Sequence, residues 1–147
     1  MANTETADGA AVRSAPKGRG LNIGLWVAQG ALALAFGAAG VTHATMPIHE
    51  MARTMAWAGS APAGLVRFIG TAELAGAVGL LLPGLTRIKP ILTAWAAAGL
   101  LAIMVLASFM HVARGEVGAL PVTGVLGSIA AFVTWGRFRK APIAPRA

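Results

Sequence analysis

The sequence predicts an all-α fold, an integral membrane four-helix bundle with both termini in the cytoplasm. Three observations lead to this prediction. Hydrophobic residues make up 56% of the 147-residue chain, whereas charged residues make up 12%. The apolar residues are concentrated in four long runs, and most of the basic residues flank those runs. A soluble domain of this length would need far more charged surface.

One transmembrane domain and two tails account for the chain. The segment 1–20 is small and polar, so we expect it to be a disordered tail. We expect no signal cleavage, because the apolar run that follows is long for a signal peptide and three more runs come after it. The domain is predicted over 21–136, before a basic tail at 137–147. Its spans are expected at about 21–45, 65–82, 91–110 and 120–135, with Pro83 closing the second.

The distribution of basic residues predicts the orientation. Of the twelve Lys and Arg, three lie in the N-terminal tail, two in the turn at 87–89 and four in the C-terminal tail. Arg53 and Arg114 occupy the loops on the opposite side, and Arg67 lies in the second span. The tails and the turn between them contain nine basic residues, whereas the opposite loops contain two. Under the positive-inside rule, this difference places both termini in the cytoplasm. Because topology accounts for the net charge of +7, no nucleic-acid partner is expected.

A carboxylate and a guanidinium lie within the second span. A charged side chain within the membrane costs free energy unless it is paired with an opposite charge, neutralised by protonation or hydrated. Glu73 follows Arg67 by six residues, which places it about 9 Å deeper and about 120° around the helix. We therefore expect Glu73 to meet a group from another helix or to stay protonated. The glycines Gly70, Gly76 and Gly79 are expected to let neighbouring helices approach. Snorkelling of Arg67 and a purely structural bond at Glu73 remain alternatives.

A second polar set is predicted on the outer side. His43 and His111 end the first and third spans, whereas His49 and Glu116 lie in the outer loops. The simplest alternative is that the histidines are helix-end residues wetted by interfacial water. Copper bound by His and Met, and haem between His43 and His111, are further alternatives. The spacing matches no metal motif, so no metal is expected. The chain has no cysteine, which excludes disulfide and thiol chemistry.

Two stretches of the chain, RFIGTAELAGAVGLLLP and ASFMHVARGEVGALP, resemble segments of the DoxX-like family of small bacterial membrane proteins. The stretch RFIGTAELAGAVGLLLP is similar to the signature of that family's second helix. The stretch ASFMHVARGEVGALP resembles the end of its third helix, with His111 before Gly115 and Glu116. The stretch GAAGVTHATMP departs from the family, because Thr42 and His43 stand where a Lys-Leu pair is frequent. The resemblance covers about 22–137.

The resemblance implies a four-helix bundle in the bacterial inner membrane that accompanies redox systems, some of them quinone-linked. The leading hypothesis is an accessory or anchoring component without independent catalytic activity, or an oxidoreductase subunit, partnered by a redox enzyme or by copies of itself. Quinone is the candidate cofactor. Glu73 and Arg67 would shape an interior site whose outer mouth is lined by His43, His111 and Glu116. The alternative is a small proton- or ion-coupled transporter or channel that uses Glu73. A self-contained enzyme has least support, because no catalytic set is recognisable.

Overall fold

The computed structural model describes residues 18–146, and all regular secondary structure in that part of the chain is helical. The prediction of an all-α fold is confirmed. Six α-helices follow one another along the chain: α1 Arg19–Thr45, α2 Ile48–Met51, α3 Ala56–Ser60, α4 Ala63–Thr86, α5 Ile91–Ala113 and α6 Leu120–Trp135. A 3₁₀ turn, Val117–Ala119, precedes α6, and a π-helical turn, Gly136–Lys140, extends it.

Within the described residues, four segments are long and apolar enough to cross a membrane. They are α1, α4, α5 and the continuous segment Val117–Lys140 that contains α6. At about 1.5 Å per residue, the 24 residues of α4 reach about 36 Å, more than the hydrocarbon core of a bilayer. The side chains that these helices turn outward include many large apolar ones, as lipid contact requires. The described residues therefore contain four candidate transmembrane helices.

The four long helices pack as a ring in which α1 contacts α4 and α6, and α5 contacts the same two helices. Buried positions recur at intervals of three and four residues. On α1 they are Leu25, Gln29, Leu32, Phe36, Gly40 and His43, and on α4 they are Val66, Gly70, Glu73, Ala77, Leu80 and Gly84. This spacing is typical of helices that cross at a shallow angle in a bundle. Polar residues lie on the same buried stripes as the apolar core.

The bundle has two ends that carry different chemistry. The loop end comprises α2, α3 and residues 114–119. The tail end comprises the start of α1, the turn at 87–90 and residues 136–146. The three acidic residues of the described chain, Glu50, Glu73 and Glu116, all lie on or towards the loop end, whereas most basic residues lie at the tail end.

Two helix ends differ from the sequence prediction. Pro83 was expected to close the second span, but α4 continues through it to Thr86. Pro83 removes one backbone hydrogen bond from α4, and membrane-spanning helices tolerate such an interruption. The helix ends instead at Arg87, which adopts the left-handed conformation with φ of 59°. Residues 137–140 were assigned to the basic tail, but they continue the last helix as the π turn. The predicted disorder of residues 1–20 falls almost entirely outside the described residues.

Candidate functional site

A histidine and a carboxylate meet between α1 and α4. His43 Nδ1 and Glu73 Oε2 lie 2.6 Å apart, and the two side chains are 10% and 4% exposed. A single proton between these atoms makes the bond, with the imidazole N–H donating to the carboxylate or the carboxylic O–H donating to the ring. Glu73 thus meets a group from another helix, one of the two arrangements that the sequence predicted for it.

Close approach of the α1 and α4 backbones brings the pair together. A Cβ placed on Gly40 would lie 2.9 Å from the carbonyl oxygen of Gly70, and a Cβ on Gly70 would lie 2.6 Å from the amide nitrogen of Ala44. Any larger residue at either position would push the helices apart. The two glycines therefore set the separation at which His43 and Glu73 can bond.

Gly76 and Gly79 serve a different contact. A Cβ on Gly76 would meet the side chain of Leu100, and one on Gly79 would lie 2.8 Å from the Cβ of Ala96. Both partners belong to α5. The three glycines singled out in the sequence thus lie at two helix contacts, α1 with α4 and α4 with α5.

Arg67 bonds to the backbone next to the pair. Its Nη1 donates to the carbonyl oxygen of His43 at 2.8 Å, and no ion pair joins it to Glu73 among the described residues. The carbonyls of the last helical turn lack partners within their own helix. The positive charge of Arg67 also interacts favourably with the negative, C-terminal end of the α1 helix dipole. Arg67 therefore caps α1 from α4 and fixes the backbone that carries His43.

An apolar cap from the loop end packs over the same region. The Trp57 ring meets the His43 ring edge-on, with centroids 5.3 Å apart. Met51, Ala58 and Val66 are fully buried in this cap, with Met46 and Met55 packed against them. The methionines of the loop end thus contribute to apolar packing. His43 Nε2 has no hydrogen-bond partner among the described residues, although Nδ1 is bonded. It is the ring nitrogen that remains for a ligand.

A second histidine–glutamate pair closes the end of α5. His111 Nδ1 lies 2.7 Å from Glu116 Oε2, and Arg114 Nε donates to Glu116 Oε1 at 2.7 Å. The hydrogen bond from Arg114, and next that from His111, lower the pKa of the Glu116 carboxyl below its ordinary value. No hydrogen bond joins this pair to His43 or Glu73 within the described chain.

The backbone beneath this second pair is a Schellman motif. The Glu116 N–H donates to the carbonyl of His111, and the Gly115 N–H donates to that of Val112. Gly115 has φ of 71°, a conformation that costs other residues free energy. The arrangement makes His111 and Glu116 part of the cap of α5, and their place at the outer mouth of an interior site stays a prediction.

His49 is the most exposed of the candidate residues. Its side chain is 73% exposed and lies 3.9 Å from Glu50, which is itself exposed. The structure therefore does not bring His49 to the buried pair. Within the described residues, no group of three or more His, Asp or Glu side chains has an arrangement suited to holding a metal ion.

A third polar cluster, at the tail end, was not anticipated from the sequence. Arg137 is 3% exposed, and its Nε donates to Gln29 Oε1 at 2.6 Å while its Nη1 donates to Asn22 Oδ1 at 2.7 Å. Gln29 Nε2 in turn donates to the carbonyl of Leu80 at 2.7 Å. The signal that could have found it is the buried spacing of the last helix, Thr123, Gly127, Ala130 and Val133, which Arg137 continues four residues later.

Fold and site together define a multi-pass membrane protein with a buried histidine–carboxylate pair. The DoxX-like family model matches residues 27–133, which is most of the chain. The chain belongs to the DoxX-like family, as the resemblance of its second and third spans indicated. Compared with curated proteins and with solved structures, the chain has no significant match in either set.

Proposed function

We propose that this DoxX-like protein is an accessory component of a redox system in the bacterial inner membrane, and that its His43–Glu73 pair binds the headgroup of a quinone. The observation that carries the proposal is the buried hydrogen bond between His43 Nδ1 and Glu73 Oε2. Intramembrane carboxylates are rarely retained without a function, because burying one costs free energy.

The chemistry of the pair suits a quinone. Reducing a quinone to a quinol takes two electrons and two protons, and oxidation releases them. The electrons would come from, or pass to, the redox partner. His43 Nε2 would donate a hydrogen bond to one quinone carbonyl when it carries the ring proton. Glu73 would then hold the proton that the other ring nitrogen gives up, so the pair can bind the headgroup with a proton already in place.

The position of the pair suits a ligand that arrives through the lipid. Glu73 lies ten residues after the start of α4 at Ala63, about 15 Å along the axis, and His43 lies near the end of α1. With the tail end in the cytoplasm, as the basic residues favour, the pair lies in the outer half of the bundle. Trp57 beside the His43 ring offers an aromatic face of the kind that packs against quinone rings.

A proton- or ion-coupled transporter built on Glu73 is the second candidate, favoured by the burial of that carboxylate. Transport needs a polar path from Glu73 to the tail end. Along α1, about 21 Å separates His43 from Gln29. The intervening layer contains the fully buried side chains of Leu32, Phe36 and Leu80. This packing supports the accessory redox role over the transporter, because a path would require the layer to open.

Purification from native membranes in a mild detergent tests the proposed function. Mass spectrometry would identify co-purified proteins and count quinones per chain. The proposal expects a redox enzyme at fixed stoichiometry together with bound quinone. A protein that is recovered without partner or quinone, yet shows a proton flux in vesicles that Glu73→Gln abolishes, would replace it with the transporter. A protein that is recovered without a partner and without quinone, and that shows no proton flux, would contradict both the redox role and the transporter.

A further inference from the structure

The tail end of the bundle carries a buried cation that has no counter-charge among residues 18–146. Arg137 bonds to neutral groups: the amide oxygens of Gln29 and Asn22 and the carbonyl of Ala141. Its Cζ lies 5.1 Å from the centre of the Trp26 ring. None of the three acidic residues in the described chain forms an ion pair with it. Burying a charge is costly unless an opposite charge accompanies it.

Two side-chain polar atoms in the described chain are buried without a hydrogen-bond partner, and both lie at or next to the tail end. They are Arg137 Nη2 and Thr93 Oγ1. Thr93 Oγ1 lies 3.3 Å from the position that a Cβ on Gly84 would take, beside Trp26 and Ile143. Such atoms are rare in folded proteins and indicate a missing partner.

The segment 141–146 folds back over the same region, and its residues line two cavities. The Arg146 N–H donates to the carbonyl of Arg87 at 3.0 Å, which holds the segment against the turn after α4. One cavity, of about 210 Å³, is lined by Lys89, Arg137 and apolar residues of the segment and of α5. The other, of about 420 Å³, is lined by Asn22, Trp26, Gly84 and Arg87 among others.

We propose that the cavity lined by Lys89 and Arg137 binds a phosphate group. A phosphate there would form a charged contact with the exposed Lys89 ammonium and supply, close to Arg137, the negative charge that the described residues lack. Arg87 and Arg146 add positive potential nearby. The phosphate belongs either to the headgroup of an anionic phospholipid or to a free phosphate. The cation–π contacts of Trp26 with Arg137 and of Trp135 with Lys140 suit the interfacial depth of a headgroup.

The test uses Lys89→Gln, because Arg137 links three parts of the fold and its replacement would disturb them together. Arg19→Gln is the matched control, since it removes the same charge from an exposed residue at the tail end that lines neither cavity. The full chain is placed in phosphatidylcholine nanodiscs with or without phosphatidylglycerol, or with inorganic phosphate. Native mass spectrometry counts bound phosphatidylglycerol, and thermal unfolding reports stabilisation.

The proposal expects the wild type and Arg19→Gln to retain phosphatidylglycerol. Lys89→Gln should bind it about fivefold more weakly, because that is the loss in affinity expected when one basic residue near a membrane surface is removed. Stabilisation by inorganic phosphate in pure phosphatidylcholine, lost in Lys89→Gln alone, supports the site with free phosphate as its source. If Lys89→Gln and Arg19→Gln lost the same amount of binding or stabilisation, the effect would come from general surface charge, and the proposal would be overturned. So would the absence of any response, which would leave a buried water as the partner of Arg137 Nη2.

Discussion

Gly40 on α1 and Gly70 on α4 cross so closely that a Cβ on Gly40 would lie 2.9 Å from the Gly70 carbonyl oxygen. The contact lies three residues before both His43 and Glu73, on the same buried stripes. Helix separation at this crossing therefore controls whether the pair can bond.

Gly40→Ala should destabilise the bundle and separate the pair. Forcing a methyl group into a packed helix contact costs about 1–3 kcal/mol. We expect a lower thermal unfolding midpoint in detergent and a shifted His43 Nδ1 resonance in nitrogen NMR. Gly30→Ala is the control on the same helix, because a Cβ there meets nothing within 4 Å. It should be neutral or stabilise by up to about 1 kcal/mol. Equal effects of the two substitutions would show that the crossing does not position His43.

The pKa of the Glu116 carboxyl should lie below its ordinary value, with the hydrogen bond from Arg114 as the largest single cause and that from His111 as the next. The lowered pKa means that the carboxylate stabilises the fold at a pH above its unfolded-state pKa. That stabilisation should disappear as the pH falls through the lowered pKa. Carbon NMR of the carboxyl measures the titration directly. Arg114→Gln should raise the pKa more than His111→Gln does, and the reverse order would contradict the ion-pair geometry.

Single cysteines can test the orientation, because the parent chain contains none and gives no background labelling. Gly118→Cys lies at the loop end and Ala144→Cys at the tail end, both at exposed positions. In intact cells, a membrane-impermeant maleimide should label residue 118 and leave residue 144 unlabelled, while both react after lysis. Labelling of residue 144 in intact cells would place the tail end outside the cytoplasm and reverse the depth argument.

The sequence predicted the four spans because long apolar runs have few other structural solutions. It also predicted that Glu73 meets a group from another helix or stays protonated, since an intramembrane carboxylate needs a partner or a proton. It could not identify His43 as that partner. The pairing depends on the register of α1 against α4, which the Gly40–Gly70 crossing fixes in three dimensions and which no local pattern encodes.

The hydrogen bond between His111 and Glu116 and the tail-end cluster were not predicted, for related reasons. His111 and Glu116 lie at the same end as His43, so sequence position alone grouped them. Their actual contact is a local cap that depends on the left-handed backbone of Gly115. Arg137 belongs to a basic run that fits the positive-inside rule without further explanation. Arg137 continues the buried stripe of Thr123, Gly127, Ala130 and Val133, but it does so only because the last helix extends past Trp135 through the π turn.

Quinone content per chain tests most directly whether the His43–Glu73 pair is a binding site. Wild type, His43→Gln, Glu73→Gln and Glu116→Gln are purified identically, and extracted quinone is quantified against protein. Glu116→Gln is the matched control, since it makes the same change in a carboxylate that bonds to the other histidine. We predict near-stoichiometric quinone in the wild type and in Glu116→Gln, with about a tenfold loss in His43→Gln and Glu73→Gln, the size expected for one charged hydrogen bond. Equal quinone in all four folded proteins, or none in the wild type, would contradict the account.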